Sequence, residues 1–590
     1  MKSISFLLLT LLISCTAKEA IEDVQKPNLI LIMTDDQGIG DFAFNANPYI
    51  QTPHLDKLAS QSLNLTNFYV SPVCAPTRAS LMTGRYSERT GIYDTYNGGA
   101  TMSSEEITIA EILQENKYKT GIFGKWHLGD NYPYRPIDQG FDMALVHRAG
   151  GIGQPGDVYN FFSGDRSYFD PVLFENGDTV QYDGYCSDIF TDELISFIRV
   201  HRKEEPRQPF FAYLSYNAPH TPLQLPEKYY ELYKDLEFNA SDFESNDEAT
   251  AKMRERDKEA ARRVYGMVTN IDDNIGKLIR SLKEEGIYEN TILVFLTDNG
   301  PQQLRYKLGL RAKKSSVYSG GIHVPCLIHY PAQMEGRSEL DIPLAHIDLL
   351  PSLLDLCGLD APQHEIDGKS FFASEDDGYS TFKERSLFFE WGRGYLQKYQ
   401  NFAVLKDHFK LVGNVSMHST IDEFELFDLS LDPGENTNIL EENRDFASTL
   451  KDEMDAWYEE IIAEENNKRS FPAYVGTPYE NPVILNRNDA KGFPVAWTEH
   501  THVNYWDVKV VEEGMYDIGF HFVNPVVEIG KMCLNLYPYN IDEHFSDTGK
   551  NEWTFRNIHL IDGSYRLEPY FQRRDGSIIF PLYVSINRRD

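Results

Sequence analysis

The sequence predicts an α/β protein in which a mostly parallel sheet is covered by helices on both faces. Apolar runs of strand length, typical of strands buried on both faces, recur at 27–34, 120–123, 209–216, 291–297 and 324–330. Amphipathic helical stretches separate or follow these runs, at 53–62, 107–116, 187–203, 245–285 and 346–357. Strands that alternate with helices indicate a parallel sheet with helices on both faces.

Polar side chains follow three of the apolar runs, where the predicted strands end. These side chains are Asp35 with Asp36, His220, and Asp298 with Asn299. In parallel sheets ligands bind at the carboxyl ends of the strands. We therefore expect the functional site at this edge of the sheet.

The length of 590 residues exceeds one ordinary domain. The pattern changes near 376, and beyond a polar break at 466–472 it becomes short alternating strands separated by Gly and Asn turns. We expect a signal peptide at 1–14, a main domain at 25–375, a smaller subdomain with an antiparallel sheet at 376–467, and a β-sandwich-like region at 471–590. Core packing is favoured over sugar stacking for the three tryptophans of the last region: Trp497, Trp506 and Trp553.

The chain is strongly acidic. Asp and Glu number 90 against 56 Lys and Arg, which gives a formal net charge of -34. Since the sequence has no basic run to neutralise phosphates, nucleic acid is excluded as a partner. This charge favours a soluble surface, and in a salty medium only local charge would matter to an anionic substrate.

The N-terminus predicts export. A single Lys2 precedes a short apolar stretch, Phe6 to Ile13, which is typical of a secretory signal and too short to span a bilayer. Leu12-Ile13-Ser14-Cys15 resembles a bacterial lipobox, which implies cleavage before Cys15 and lipidation of its sulfur. We expect an exported protein with a lipid anchor in a membrane, on the outer membrane or on a periplasmic or cell-surface face. The alternative is a plain signal peptide with a coincidental cysteine.

The strongest motif begins at Cys74. The six cysteines are widely spaced and form no zinc pattern, and Cys326 and Cys357 are expected to be buried thiols. The segment from Cys74 reads Cys-Ala-Pro-Thr-Arg, continues through Ala79, and ends in Thr-Gly-Arg at Arg85. It resembles the signature of the type I sulfatases, a formylglycine-dependent family of the alkaline phosphatase superfamily. The resemblance covers roughly residues 25 to 460.

The resemblance implies that a separate maturation enzyme oxidises Cys74 to formylglycine (3-oxoalanine). The hydrate of this aldehyde carries two hydroxyls on one carbon. One hydroxyl attacks sulfur and forms a covalent sulfate ester, and deprotonation of the other expels sulfate and regenerates the aldehyde. An ordinary serine would leave a stable sulfate ester.

Two segments at strand ends offer hard oxygen ligands. They are Thr34-Asp35-Asp36-Gln37-Gly38 and Thr297-Asp298-Asn299-Gly300. Carboxylate and amide oxygens suit Ca²⁺ or Mg²⁺ and do not suit zinc. The resemblance implies that one Ca²⁺ is bound by these ligands together with the formylglycine at position 74: Asp35, Asp36, Asp298 and Asn299.

Three further motifs match the family and imply roles for their residues. In Gly124-Lys125-Trp126-His127-Leu128-Gly129, Lys125 would contact a sulfate oxygen and His127 would take a proton from a formylglycine hydroxyl. His220, between two prolines, would act as general acid on the leaving oxygen. Counting back from Gly320-Gly321 makes Lys314 the family's sulfate-binding lysine, with Lys313 as the adjacent alternative.

Arg78, Lys125 and Lys314 would form a cationic cluster that stabilises the transition state. The loop that carries Lys314 departs from the family pattern. Ser315 stands where Gly is usual and Ser319 where Glu is usual, so we expect a changed loop conformation with unchanged chemistry.

The expected activity is hydrolysis of sulfate esters on a sulfated polysaccharide or its oligosaccharides, such as ulvan, fucan or galactan. One alternative is a phosphonate or phosphate ester hydrolase of the same superfamily, and another is a glycan-binding lipoprotein with a dead site. Specificity is expected in the 150–183 stretch and in four side chains: His147, Arg148, Arg305 and Tyr306. We expect Arg148 or Arg305 to reach a second anionic group on the sugar.

Overall fold

The computed structural model describes residues 25–239, 253–334, 336–492, 502–545 and 549–589. The predicted signal peptide with Cys15, the first part of the predicted 245–285 helix, and Trp497 lie outside the described residues. Between 25 and 345 the strands are β1 (Asn28–Thr34), β2 (Leu63–Leu65), β3 (Phe68–Tyr69), β4 (Lys119–Lys125), β5 (Met143–His147), β6 (Val172–Glu175), β7 (Asp178–Gln181), β8 (Phe210–Ser215), β9 (Thr291–Thr297), β10 (Cys326–His329), β11 (Ser338–Leu340) and β12 (Leu344–Ala345).

Ten of these strands form the central sheet, in the order β11-β2-β10-β9-β1-β8-β4-β5-β6-β7. The five strands from β9 to β5 pair in parallel, while β10, β6 and β7 pair antiparallel to their neighbours. Every residue of β1 is buried, as its continuous apolar run predicted. The predicted α/β fold with a mostly parallel sheet is confirmed.

Helices cover both faces of this sheet. The helices are α1 (Pro53–Ala59), α2 (Cys74–Thr83), α3 (Ile109–Glu115), α4 (Cys186–Glu204), α5 (Glu227–Tyr230), α6 (Glu255–Glu284), α7 (Ser319–Ile322), α8 (Leu349–Leu356), α9 (Ser380–Glu384) and α10 (Arg444–Ala463). Alternate residues of β1 point to opposite faces, so Leu29 and Leu31 join the core beneath α2, α3 and α8, while Ile30 and Ile32 join the core beneath α1, α4 and α6.

A four-stranded antiparallel sheet follows the main sheet in the chain. Helix α10 packs on it through Leu450, Met454 and Trp457, which share a core with apolar residues of the sheet. Its strands, in sheet order, are β13 (Ser386–Glu390), β14 (Phe402–Lys406), β15 (Phe409–Gly413) and β16 (Glu425–Asp428).

Two further sheets enclose one apolar core after residue 472, which is the arrangement of a β-sandwich. Trp506 stacks on Phe580 with ring centroids 5.1 Å apart, and Trp553 packs edge-on against Phe545 at 5.2 Å, so both tryptophans take part in packing. The strands are β17 (Ala473–Val475), β18 (Val483–Asn486), β19 (Trp506–Val510), β20 (Gly514–His521), β21 (Gly530–Leu536), β22 (Tyr539–Phe545), β23 (Glu552–Leu560), β24 (Gly563–Arg573), β25 (Ile578–Ile579) and β26 (Tyr583–Arg589).

Within the described ranges, no helix has the length and apolar character needed to cross a membrane. The five described cysteines are unpaired and buried, as expected for Cys326 and Cys357: Cys74, Cys186, Cys326, Cys357 and Cys533.

Candidate active site

The carboxyl ends of β1 and β9 bring the predicted oxygen ligands together. These strands are parallel neighbours with Thr34 opposite Thr297, so the residues that follow them emerge side by side. The backbone N–H of Asp36 donates to Asp298 Oδ1 over 3.1 Å, and Asn299 Nδ2 donates to Asp36 Oδ1 over 2.8 Å. The side chains of Asp35, Asp36, Asp298 and Asn299 are fully buried.

Cys74 is the first residue of α2, and the N-terminus of this helix faces the carboxylate cluster. Its side chain is buried, and its Sγ lies 3.5 Å from His127 Nδ1. Burial raises the pKa of the Cys74 thiol, with Lys125 and Lys314 acting in the opposite direction. The encoded cysteine is thus held mainly as a thiol and is not an activated thiolate.

His127 is held by a backbone carbonyl. Its Nε2 lies 2.9 Å from the carbonyl oxygen of Thr95. Since a carbonyl accepts only, Nε2 carries the proton and Nδ1 is left as the acceptor that faces residue 74. Burial and the nearby Lys125 hold the pKa of His127 well below its ordinary value, which keeps the ring neutral.

Arg78 lies one helical turn after Cys74, so both side chains leave α2 on the same face. The guanidinium is fully buried and donates to Asp298 Oδ2 over 2.7 Å and to Asp35 Oδ2 over 3.3 Å. It also donates to Ser215 Oγ over 2.5 Å. Ser215, the last residue of β8, was missed by the sequence analysis, although its place at a strand end was a usable signal.

Two lysines complete the cationic cluster. Lys125 Nζ lies 2.5 Å from Asp35 Oδ2, and Lys314 Nζ pairs with Asp36 Oδ1. Lys313, the alternative, instead donates to the carbonyl of Gln302 over 2.7 Å. Although burial acts to raise the pKa of Asp35 and Asp36, these cations outweigh it and hold both pKa values below their usual range.

His220 faces the same cluster from the loop after β8. Its Nδ1 lies 2.7 Å from the Thr221 carbonyl oxygen and therefore carries a proton, while Nε2 lies 3.7 Å from Asp36 Oδ2. Burial lowers the pKa of His220, and the carboxylate of Asp36 partly offsets this. With Nδ1 protonated, Nε2 can donate a proton to a leaving group only from the imidazolium form of the ring, which the charges of Asp36 and Asp35 favour.

The donor set fits a hard divalent cation. Within the part of the chain that the structure describes, Asp35 Oδ1, Asp36 Oδ2 and Asn299 Oδ1 are buried without a hydrogen-bond partner. Ligand atoms of Asp35, Cys74 and Asp298 all lie within 4.8 Å of one another. Burial and the charge of Asp35 raise the pKa of Asp298 to about 7. A cation bound here would satisfy the free oxygens and relieve this repulsion.

The loop from Lys314 to Gly320 is held by contacts that the family pattern did not indicate. Ser315 has a φ of 73°, the left-handed conformation that glycine adopts without strain. The backbone N–H of Ser319 donates to Glu435 Oε2 over 2.7 Å, and Glu435 Oε1 pairs with the buried Lys410 at 2.6 Å. A carboxylate from the antiparallel subdomain therefore braces the loop where Ser319 replaces the usual glutamate.

The specificity residues behave differently from one another. Arg305 is fully buried, donates to both oxygens of Asp41 and also to the Asp36 carbonyl over 2.6 Å, so the prediction that it reaches a sugar is wrong. The sequence does not show that Arg305 will pair with Asp41, a buried carboxylate six residues after Asp35. Its role is to support the Asp36 backbone.

The other three specificity candidates remain predictions. Arg148 is 7% exposed, donates to the Asp130 carbonyl over 2.7 Å and lies over the Phe174 ring at 3.7 Å. It lines a pocket of about 830 Å³ between the 150–183 stretch and residues 478–486. His147 is buried beside Lys125 at the end of β5, and Tyr306 is half-buried.

This fold and this site define an α/β ester hydrolase of the alkaline-phosphatase-like class. The sulfatase family profile matches residues 27–359, and the profile of the N-sulphoglucosamine sulphohydrolase C-terminal region matches residues 311–460. The chain belongs to the sulfatase family, a family of sulfuric ester hydrolases.

Individual relatives agree with this assignment. Arylsulfatase J of Mus musculus is 30% identical over 60% of this chain, which spans 56% of that protein. An ulvan-active sulfatase of Formosa agariphila is 30% identical over 61% of this chain and 67% of the relative. The crystal structure of Ps i-CgsB in complex with k-i-k-neocarrahexaose superposes with a TM-score of 0.62 at 28% identity, covering 73% of this chain and 93% of that one.

Proposed function

We propose that this protein hydrolyses sulfate esters of a sulfated polysaccharide or its oligosaccharides, with formylglycine at position 74 and one Ca²⁺. The observation that carries the proposal is the ring of groups around residue 74. Three cations, three carboxylates and two histidines converge there, and all are buried or nearly so. The overall reaction consumes one water and releases an alcohol and sulfate.

The residues around position 74 would have separate roles in binding sulfate and in moving protons. Lys125 and Lys314 would bind sulfate oxygens, and Arg78 would hold the two carboxylates in place. Nδ1 of His127 would accept a proton from the side chain of residue 74, because it is the unprotonated ring nitrogen that faces that residue. Nε2 of His220, with the ring protonated at both nitrogens, would deliver a proton to the leaving sugar oxygen.

The two groups that complete the site would be held by the same residues. Asp35, Asp36, Asp298 and Asn299 would ligate the cation, which would polarise a sulfate oxygen and favour ionised oxygen at position 74. Formylglycine there would supply, as its hydrate, one hydroxyl for attack on sulfur and a second whose deprotonation releases sulfate. A separate maturation enzyme would form it from Cys74.

The substrate class rests on the relatives and on this chain's surface. One relative is named ulvan-active, and one similar structure holds a neocarrahexaose. An acidic chain with net charge -34 suits a salty medium in which long-range repulsion of an anionic polymer is screened. We also propose that the protein is exported and lipid-anchored through Cys15. An unlipidated N-terminal peptide from protein purified from its native membrane fraction would contradict the anchor.

The experiment combines one mass measurement with one rate comparison. The protein is co-expressed with a formylglycine-generating enzyme, and the mass of the tryptic peptide that contains residue 74 is measured by mass spectrometry. We expect aldehyde at residue 74 and release of sulfate from aryl and glycan sulfates, with much slower hydrolysis of aryl phosphates. Cys74→Ala should abolish activity, while the control Cys357→Ala, at another buried thiol, should retain it. Faster phosphate than sulfate hydrolysis, or full activity with an unmodified thiol, would overturn the proposal.

A further inference from the structure

A turn of the C-terminal β-sandwich reaches the carbonyl that holds His127. Asn488 Nδ2 donates to the Thr95 carbonyl oxygen over 3.2 Å, and His127 Nε2 donates to the same oxygen over 2.9 Å. The backbone N–H of Gly98 donates to the carbonyl of Asn488 over 3.3 Å. The sandwich therefore contacts the 95–98 segment through one side chain and one backbone carbonyl.

The turn that carries Asn488 is itself fixed. Asn486 Oδ1 accepts the backbone N–H of Asn488 over 2.7 Å, and Asn486 Nδ2 donates to Asp130 Oδ2 over 2.5 Å. Trp506 Nε1 donates to the Asn486 carbonyl over 2.8 Å. The side chain of Asn488 is only 8% exposed, and a Cβ built on Gly156 would lie 2.7 Å from its Cβ. Asn488 therefore has little freedom to turn away from Thr95.

The 95–98 segment has no helix or strand of its own to fix the Thr95 carbonyl. On its other side, Arg393 of the antiparallel subdomain donates to Asp94 Oδ1 over 2.8 Å and to Thr95 Oγ1 over 3.2 Å. These bonds hold the side chains, and the backbone N–H groups of Tyr93 and Asp94 donate to the Gly99 carbonyl across the turn. The Thr95 carbonyl itself is bonded by two donors. A carbonyl oxygen has two lone pairs, and here one takes His127 and the other takes Asn488.

We propose that Asn488 is a positioning residue for His127, so that the C-terminal β-sandwich is part of the active site. This rests on the proposed function, in which Nδ1 of His127 faces residue 74 as the acceptor. By holding the Thr95 carbonyl toward Nε2, Asn488 fixes both the tautomer and the orientation of the ring. A partner that orients a catalytic imidazole in this way acts on turnover more than on substrate binding.

The test compares two variants of Asn488 with a matched contact between the same two regions. Asn488→Ala removes the side chain, and Asn488→Asp keeps its shape but loses the donor. The control is Tyr479→Ala, which removes the stack of Tyr479 on Tyr132, with centroids 4.6 Å apart, and leaves Thr95 untouched. All are made in the full chain and matured at residue 74. Three quantities are measured: kcat and KM on an aryl sulfate, hydrogen exchange of segment 93–100, and the Tm.

We expect both Asn488 variants to lose about tenfold in kcat, with KM within about twofold of wild type, since a misplacement of around 1 Å can cost up to a hundredfold. Segment 93–100 should exchange faster in both, and Tyr479→Ala should match wild type in kcat and in exchange. Wild-type kcat in Asn488→Asp overturns the proposal, and so does an equal loss in Tyr479→Ala. Faster exchange without a loss of kcat overturns it as well.

The exchange measurement separates this proposal from the proposed function. If the matured wild-type protein hydrolyses no sulfate ester, the proposed function fails. Unchanged exchange of segment 93–100 in both Asn488 variants would then still refute the positioning contact. Lower kcat with unchanged exchange would also refute it, because the loss would come from elsewhere than the Thr95 segment.

Discussion

Lys314 allows a sharp test of the site because a second lysine stands beside it in sequence. The ammonium of Lys314 pairs with Asp36 Oδ1 and its side chain is 9% exposed, while the ammonium of Lys313 donates to the Gln302 carbonyl. The perturbation is Lys314→Met, which keeps most of the apolar stem and removes the charge. Lys313→Met is the matched control.

The expected size follows from the charge that is lost. Two unit charges about 4 Å apart at an effective dielectric constant of about 20 interact by about 4 kcal/mol. If Lys314 contacts the sulfate only in this way, removing it raises the barrier by a similar amount. At about 1.4 kcal/mol per tenfold, kcat/KM on an aryl sulfate should fall by about a thousandfold. Lys313→Met should stay within about twofold of wild type.

Stability must be measured beside activity, since Lys314→Met also leaves Asp36 without one cation. Breaking a buried ion pair costs about 3–5 kcal/mol, so the Tm of this variant should fall. Lys314→Arg keeps the charge and separates the two effects, and it should recover stability more fully than rate. A Lys314→Met variant that is folded and within tenfold of wild-type activity would refute the assignment. A large loss in Lys313→Met alone would move the role to Lys313.

Two further outcomes follow from the site and its surroundings. Chelation by EDTA should abolish activity and lower the Tm, because the free oxygens of Asp35, Asp36 and Asn299 lose the cation that they bind. Added Ca²⁺ at about 100 times its Kd should restore about 2.7 kcal/mol of stability. An unchanged Tm and activity after chelation would contradict a metal site. Burial raises the pKa of Glu88 from 4.5 to about 7. The folded protein therefore keeps a proton that the unfolded chain releases above pH 4.5. As a result, the free energy of unfolding falls by about 3 kcal/mol as the pH rises from 4.5 to 7. Glu88→Gln should remove this loss and raise the Tm at pH 8, as measured by thermal unfolding across pH, whereas a variant with the wild-type pH dependence would show that the carboxyl is not the cause.

The sequence could predict that the proposed oxygen ligands lie together because these residues follow strand ends. Asp35 and Asp298 each follow a seven-residue buried strand with five apolar residues at its centre, and these two strands are parallel neighbours in the sheet. Because the two strands are parallel and adjacent, the residues that follow them lie side by side. The structure places Cys74 and Arg78 on one face of α2, because they are four residues apart in an α-helix.

The parts that could not be read from the sequence are contacts made by backbone groups or by distant segments. The Thr95 carbonyl accepts a hydrogen bond from His127. Since every residue has a backbone carbonyl, the residue type does not show which carbonyl makes such a contact. Arg305 was predicted to reach an anionic group on the sugar, but Asp41, more than 260 positions away, accepts hydrogen bonds from its guanidinium. Nothing local marks which of two arginines will be buried against a carboxylate.

The charge balance of the site explains how a very acidic protein can bind an anion. With all three carboxylates ionised, Asp35, Asp36 and Asp298 cancel Arg78, Lys125 and Lys314, and each cation lies against a carboxylate. These six side chains alone therefore carry no net charge and would attract a sulfate ester only weakly. A divalent cation on the free oxygens would make the cluster strongly positive, in a buried place where salt screens little. On this reasoning a bound cation would make the cluster a receptor for sulfate, and the lysines and Arg78 would set the geometry in which the sulfate is held.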